Sequence, residues 1–192
     1  MAASVLGYRR FMHVMAVVSE ADRVVSQRAA WIPEGVGRAL SVLEEGAEGS
    51  KLWCGAAMAM AWWGGWRGRR AAGSGLVALA VGQLVSNGVC KRLAGRSRPP
   101  KQWFPHDEVD DRPASSSFPS GHTAAAVAFT AAVVPAWPAA GAVCGLSAVL
   151  VAIERVQSGA HYLSDVAGGA VVGLAAAWLT RRAGQQLWRH GR

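Results

Sequence analysis

Three polar clusters hold the residues whose types and spacing could do chemistry. The first is KRLAGRSRPP (91–100), with Lys91 and Arg98 seven residues apart. Seven residues are two helical turns, so both cations share a face if the helix continues until Pro99 and Pro100 stop it. The second is PSGH (119–122), where Ser120 is a helix N-cap, Gly121 follows, and His122 sits in the same turn. A helix start of this kind aims free backbone N–H groups at anions, and an imidazole there can give or take a proton near neutral pH. The third is ERVQSGAHYLSD (154–165), with His161 and Asp165 spaced i, i+4 so that they share one helix face. A carboxylate so placed can accept from one ring nitrogen and leave the other as nucleophile or base. Arg155 adds a planar donor suited to phosphate.

Each cluster alone has an ordinary structural account: a basic loop, a capped helix, a His–Asp staple at a helix start. Together they supply three cations, a helix N-terminus, two histidines and an orienting carboxylate. Phosphoryl transfer asks for that set: charge on the equatorial oxygens, an in-line nucleophile and an acid for the leaving oxygen. No convincing metal set is present. His106, Asp107, Glu108, Asp110 and Asp111 crowd WFPHDEVDD, which reads as an acidic, solvated loop.

The elements that must position these clusters are apolar. Of 192 residues 52% are hydrophobic and 17% charged, and residues 52–66, 71–90, 123–153 and 166–180 contain no Asp, Glu, Lys or Arg. About 20 apolar residues cross a bilayer core. The second run is long enough. The third suffices for two short spans, 122–138 and 139–153, with PAWPAAG (135–141) as the turn. The first and last need flanking arginines to snorkel. The expectation is an all-α, polytopic transmembrane bundle of about five spans, preceded by N-terminal amphipathic helices. Residues 1–50 form that N-terminal segment, with 36–48 as a short amphipathic helix and no evident cleavable signal. Residues 51–192 form the membrane-embedded domain. A soluble bundle rich in Ala and Gly is the weaker alternative.

The net charge of +8 invites a nucleic-acid partner, yet much of it sits in RGRR (67–70) and in the tail 181–192, beside apolar runs. Such clusters mark the cytoplasmic side. The expectation is therefore no nucleic acid. With both clusters in the cytoplasm, the parity of the spans puts segments 91–101, 115–122 and 154–165 together outside. Lys91 and Arg98 then lie on the side that the positive-inside rule leaves poor in Lys and Arg, which favours a functional reason for them. Cys54, Cys90 and Cys144 have no ligand-like spacing and read as packing residues.

The pattern Lys-x6-Arg-Pro (Lys91 to Arg98-Pro99), then Pro-Ser-Gly-His (119–122), then Arg-x5-His-x3-Asp (Arg155, His161, Asp165) resembles the type 2 phosphatidic acid phosphatase superfamily, the lipid phosphate phosphatases. The motifs cover 91–165, and the helices around them extend the match to about 51–181. The resemblance implies a helical bundle with a metal-independent, cofactor-free site at the outer membrane surface. It implies that His161 attacks phosphorus to form a phosphohistidine, that Asp165 orients His161, and that His122 protonates the leaving oxygen. It implies that Lys91, Arg98, Ser120, Gly121 and Arg155 hold the phosphate. The third motif usually opens Ser-Arg, and Glu154 stands here in place of the serine. An ionised Glu154 cannot donate to phosphate and could compete for Arg155, so it is left out of the site.

The implied partners are a membrane lipid phosphate and the bilayer, with room for a homo-oligomer. The implied location is the plasma membrane, with the site on the extracytoplasmic side. Phosphatidic acid, phosphatidylglycerol phosphate, polyprenyl diphosphate and polyprenyl-linked sugar phosphates are the candidate substrates. The related vanadium haloperoxidases are soluble, which the apolar runs oppose. A non-catalytic transporter or scaffold on the same fold has no need of His122, His161 and Asp165.

Overall fold

A short, alanine-rich helix at the centre of the bundle organises the other elements. The computed structural model describes residues 2–105, 109–110 and 112–190, with side chains from 12 to 186 apart from position 34 and the omitted loop positions. In chain order the helices are α1 (Ala2–Ala29), α2 (Glu34–Ala47), α3 (Lys51–Trp63), α4 (Gly65–Gln83), α5 (Lys91–Ala94), α6 (Gly121–Val133), α7 (Pro138–Gln157) and α8 (Leu163–His190). A wider π turn, Leu84–Cys90, joins α4 to α5 without a break. Turns of this kind recur at functional sites, and this one delivers Lys91.

The central helix is α6, which packs against α4, α7 and α8. Its 13 residues include Ala124, Ala125, Ala126 and Ala128, all buried. Small residues let neighbouring backbones approach, the usual device for close helix packing in lipid. The approach is tightest along α8, where a Cβ on Gly169 would lie 2.5 Å from the Ser120 carbonyl oxygen and one on Gly173 2.6 Å from that of Ala124. Trp53 of α3 closes the other side of the core by packing on Phe129 at 5.4 Å between ring centroids.

Among the described residues, three helical stretches are long and apolar enough to cross a membrane: Gly65–Ala94, Pro138–Gln157 and Leu163–Gln186. Their outer faces carry exposed Val77, Leu84, Leu146, Val149, Val171 and Leu174. In a polytopic bundle such faces meet lipid. The expected 122–138 span ends earlier, at Val133, because the chain turns over 134–137 and Pro138 opens α7 from its first turn. At 1.5 Å per residue α6 is about 20 Å long, shorter than the hydrocarbon core. Its burial among longer helices removes the need to span alone.

The bundle has a polar end and a basic end. Ser120 N–H donates to the Asp165 carbonyl oxygen at 3.0 Å, so α6 and α8 start side by side. Gln83 near the end of α4 donates to Ser50 before α3 at 2.9 Å. At the opposite end Trp137 lies against Gly64 and Gly68, next to Arg67, Arg69 and Arg70. Exposed Trp62, Trp63 and Trp66 flank those arginines, as aromatic side chains do at a membrane interface. The expected 36–48 helix is α2, which packs on α7 and α3, while α1 packs on α8 and α7.

Candidate functional site

The polar end gathers all three clusters. The first bends differently from expectation. The helix carrying Lys91 stops at Ala94, and Gly95 takes a left-handed conformation (φ 54°) that ends it. Arg98 is therefore on the following loop, not two turns up the same helix. It stays beside Lys91 because its guanidinium is tied to backbone, donating from Nε to the Pro113 carbonyl at 2.8 Å and from Nη1 to the Ala160 carbonyl at 2.6 Å. Arg112 stitches the same loops through the carbonyls of Pro99 (2.9 Å) and Gly159 (2.6 Å).

In the second cluster Ser120 is the N-cap of α6 and fully buried. Its hydroxyl accepts from the Thr123 N–H at 3.4 Å and from the Thr123 hydroxyl at 3.0 Å. The cap leaves the N–H groups of Gly121 and His122 without a partner inside the helix. His122 is part-exposed at the opening.

The third cluster forms at the turn between α7 and α8. Gly159 adopts φ 69°, and a Cβ there would strike the Phe104 ring at 2.8 Å, so the turn requires glycine. The chain then doubles back, and His161 N–H donates to the Arg155 carbonyl at 2.9 Å. This brings His161 to Arg155. His161 lies ahead of α8, which begins at Leu163, so the His161–Asp165 pair straddles the helix start and does not share a helix face. Asp165 Oδ2 accepts the Tyr162 N–H at 2.9 Å, and His161 Nδ1 stands 3.7 Å from the same oxygen. That distance is longer than a hydrogen bond. Burial holds the His161 imidazole below its ordinary pKa; Asp165 opposes the shift, and Arg98 and Arg155 reinforce it. The shift favours a neutral His161 imidazole at neutral pH.

Lys91, Arg98, Arg155, His122 and His161 are close enough to feel one another's charge. Of the predicted site residues, Lys91, Arg98, His122, Arg155, His161 and Asp165 therefore gather in one region, and Ser120 and Gly121 lie at the α6 start beside Asp165. Among the described residues no three of His, Cys, Asp and Glu are grouped to hold a metal ion. Of the acidic loop, His106, Asp107, Glu108 and Asp111 lie outside the described residues, and Asp110 pairs with exposed Lys101 at 2.5 Å.

Glu44, Arg96 and Asp22 reach the site without a sequence signal, and Glu154, the departure noted in the third motif, reaches it as well. Glu44 of α2 contacts Arg155 Nη2 at 2.9 Å and lies 3.9 Å from His122 Nε2. Glu154, buried, contacts Arg155 Nε and so does compete for it. Arg155 is held between two carboxylates. On the far side of Asp165, Arg96 donates to Asp165 Oδ1 at 2.6 Å and to Asp22 of α1 at 2.7 Å.

Glu44 places a negative charge on the arginine that the phosphate would use. Glu44→Gln should therefore strengthen inhibition by inorganic phosphate about fivefold, as one charge interaction of ~1 kcal/mol would. A phosphate titration of activity checks this. Unchanged or weaker inhibition would mean that Glu44 organises Arg155 and does not compete with the anion.

A family model described as PAP2 superfamily matches residues 71–189. No curated protein matches the chain. Among solved structures, a transmembrane PAP2 type phosphatidylglycerolphosphate phosphatase from Bacillus subtilis superposes with a TM-score of 0.63 at 22% identity, covering 97% of this chain and 98% of that one. LpxE of Aquifex aeolicus superposes with a TM-score of 0.65 at 18% identity, covering 86% of this chain and 95% of the other. At these identities the likeness is one of fold.

Proposed function

Since this chain belongs to the PAP2 superfamily, we propose that it is an integral-membrane phosphatase that hydrolyses a lipid phosphate or diphosphate through a phosphohistidine on His161, without a metal ion. The observation that carries this reading is the meeting of buried His161 and its carboxylate with the α6 N-terminus and the cations Lys91, Arg98 and Arg155. Phosphate seated at Gly121 and His122 N–H groups would have its oxygens toward those cations and its phosphorus toward His161. Asp165 approaches the Nδ1 side, which leaves Nε2 to attack. His122, part-exposed at the same helix start, can pass a proton to the departing oxygen. A water then cleaves the P–N bond, with His122 as base, and frees phosphate.

The solved relatives are described as acting on phosphatidylglycerolphosphate and as LpxE. Phosphatidic acid, phosphatidylglycerol phosphate and polyprenyl phosphates make the corresponding substrate panel. Phosphate release from the purified protein in detergent should occur on at least one of them. It should persist in excess EDTA and be inhibited by vanadate, which mimics five-coordinate phosphorus. No release from any member would favour a transporter or scaffold. Loss in EDTA with recovery on Mg²⁺ would place a catalytic ion in the acidic loop.

The same reading puts the site on the extracytoplasmic side of the plasma membrane. It is supported by the basic residues 67–70 and 181–182, which lie at the end of the bundle away from His161. A cysteine at exposed Asp110, with the native cysteines removed, should react with an impermeant thiol reagent in intact cells. Reaction only after lysis would reverse the topology.

A further inference from the structure

Asp165 is completely buried, so its carboxylate needs partners on both oxygens. Oδ2 is turned toward Tyr162 N–H and His161. Oδ1 is held by Arg96 Nη1 at 2.6 Å. Arg96 lies between Lys91 and Arg98 in the sequence but plays a different part from either. Its guanidinium also donates to the Ser164 hydroxyl at 2.7 Å, and it stacks on the Tyr162 ring at 4.3 Å. Its other terminal nitrogen is held by Asp22 at 2.7 Å.

Asp22 is itself 2% exposed, although it comes from a helix 142 residues away in sequence from Ser164. One carboxylate oxygen accepts the Ser164 N–H at 2.9 Å, and the other accepts the Ser164 hydroxyl at 2.6 Å. Asp22 thus caps the start of the helix that carries Asp165 and fixes the arginine that grips Asp165. A planar guanidinium bridging two carboxylates leaves little rotational freedom to either.

We propose that Asp22 and Arg96 are positioning residues for the reaction: α1 holds Arg96, and Arg96 turns Asp165 so that its second oxygen faces His161. This rests on the reading of His161 as nucleophile. It goes beyond that reading by assigning a catalytic consequence to α1 and to a residue inside the first cluster whose guanidinium is bonded to Asp165, Ser164 and Asp22.

The alternative is that the pair only anchors α1 to the bundle, which would change stability and not the chemistry of each folded molecule. A pH profile separates the two. His161 is faced by Asp165 from α8, Arg98 from the 95–98 loop, Arg155 from α7 and His122 from α6, with Lys91, Glu44 and Glu154 beside these. Of these, Arg96 bonds Asp165, and the other charges stay in place when Arg96 is replaced. Removing the Arg96 cation leaves the Asp165 charge less balanced, so the imidazole holds its proton more tightly. The acid limb of kcat/KM must then move to higher pH.

The test uses the full-length protein in detergent, with phosphatidic acid and p-nitrophenyl phosphate as probes. Arg96→Met should lower kcat about 10–100-fold, the range for partners that orient a reacting group. KM should change little, and the acid limb should move upward. Arg96→Lys keeps the charge and should return the limb toward its original place. Asp22→Asn keeps its shape and leaves Arg96 charged, so kcat should fall without an upward move. Thermal melting and gel filtration report whether each variant folds. If His161→Ala is inactive while folded Arg96→Met and Asp22→Asn both keep the wild-type kcat, and Arg96→Met keeps the wild-type acid limb, the positioning role is overturned. If His161→Ala retains turnover, or the wild-type protein turns over neither probe, the reading of the site itself fails first.

Discussion

Replacing His161 with alanine should abolish turnover while leaving the fold intact. The expected loss is about 10⁴-fold or more, the scale seen when the nucleophile of a cooperating set is removed. The geometry leaves no substitute: His122 belongs to another helix start, and Asp165, the other group of the pair, is fully buried. His161 also meets the protonation requirement. Its imidazole is held below the ordinary value by burial, so it stays neutral to a lower pH than a solvated histidine. A nucleophile must be unprotonated, and the acid limb of kcat/KM should accordingly lie below the ordinary imidazole value of about 6.5. A second readout is the intermediate itself. Wild-type protein quenched during turnover should carry a phosphoryl group that acid removes and alkali does not, as a P–N bond behaves, and His161→Ala should carry none. Near-normal phosphate release by a folded His161→Ala protein would remove His161 from the reaction path.

The candidate cluster was legible as a cluster because its residues repeat a spacing that has few other uses. Lys91 with Arg98, Ser120 through His122, and Arg155 with His161 and Asp165 all converge, although two local geometries differ from the simplest reading. Lys91 and Arg98 do not share a helix, because Gly95 ends α5 four residues before Pro99. His161 and Asp165 do not share one either, since α8 starts between them. Spacing alone cannot separate a helix from a turn that returns the chain to the same place. The Ala/Gly-rich runs gave the bundle, yet α6 is shorter than a span because its neighbours enclose it. That is a property of the packed whole.

Asp22, Arg96 and Glu44 were not legible for a different reason. A charged residue in a mixed, amphipathic segment reads as solvated, and most such residues are. Nothing near Asp22 marks it except buried Ser26 and Ala30 in register at four-residue steps, a stripe of small residues that could have hinted at a covered face. Arg96 was hidden among basic neighbours in KRLAGRSRPP. Glu44 lies in a helix expected to rest at the interface, and its contact with Arg155 spans more than a hundred residues. Glu154 was visible as a departure from the usual serine, and its contact with Arg155 is the consequence anticipated for it.

His122 offers the sharper mechanistic test, because the value of a general acid depends on what leaves. A lipid alkoxide is a strong base and needs a proton as the P–O bond breaks. A nitrophenolate departs without one. His122 is placed to serve the first case: it opens α6 beside Gly121, with Arg155 and Glu44 around it and its Nε2 3.9 Å from the Glu44 carboxylate. Without substrate, burial and the nearby Arg155, Lys91 and Arg98 hold the His122 imidazole well below its ordinary value, at about 3, so it is neutral; the negative charge of a bound phosphate is what favours its protonated form. General acid catalysis contributes about 10²–10⁴-fold. His122→Ala should lose that much rate on a monophosphate of a simple alcohol and distinctly less on an aryl phosphate. His161→Ala, by contrast, should lose both alike, since a nucleophile is needed whatever departs. The comparison requires that chemistry limit the rate, which a burst experiment on the aryl substrate establishes. Equal losses on both substrates would make His122 a phosphate ligand or a structural residue of the helix start. Its proximity to Glu44 would then be a matter of packing, and the proton for the leaving oxygen would have to come from water.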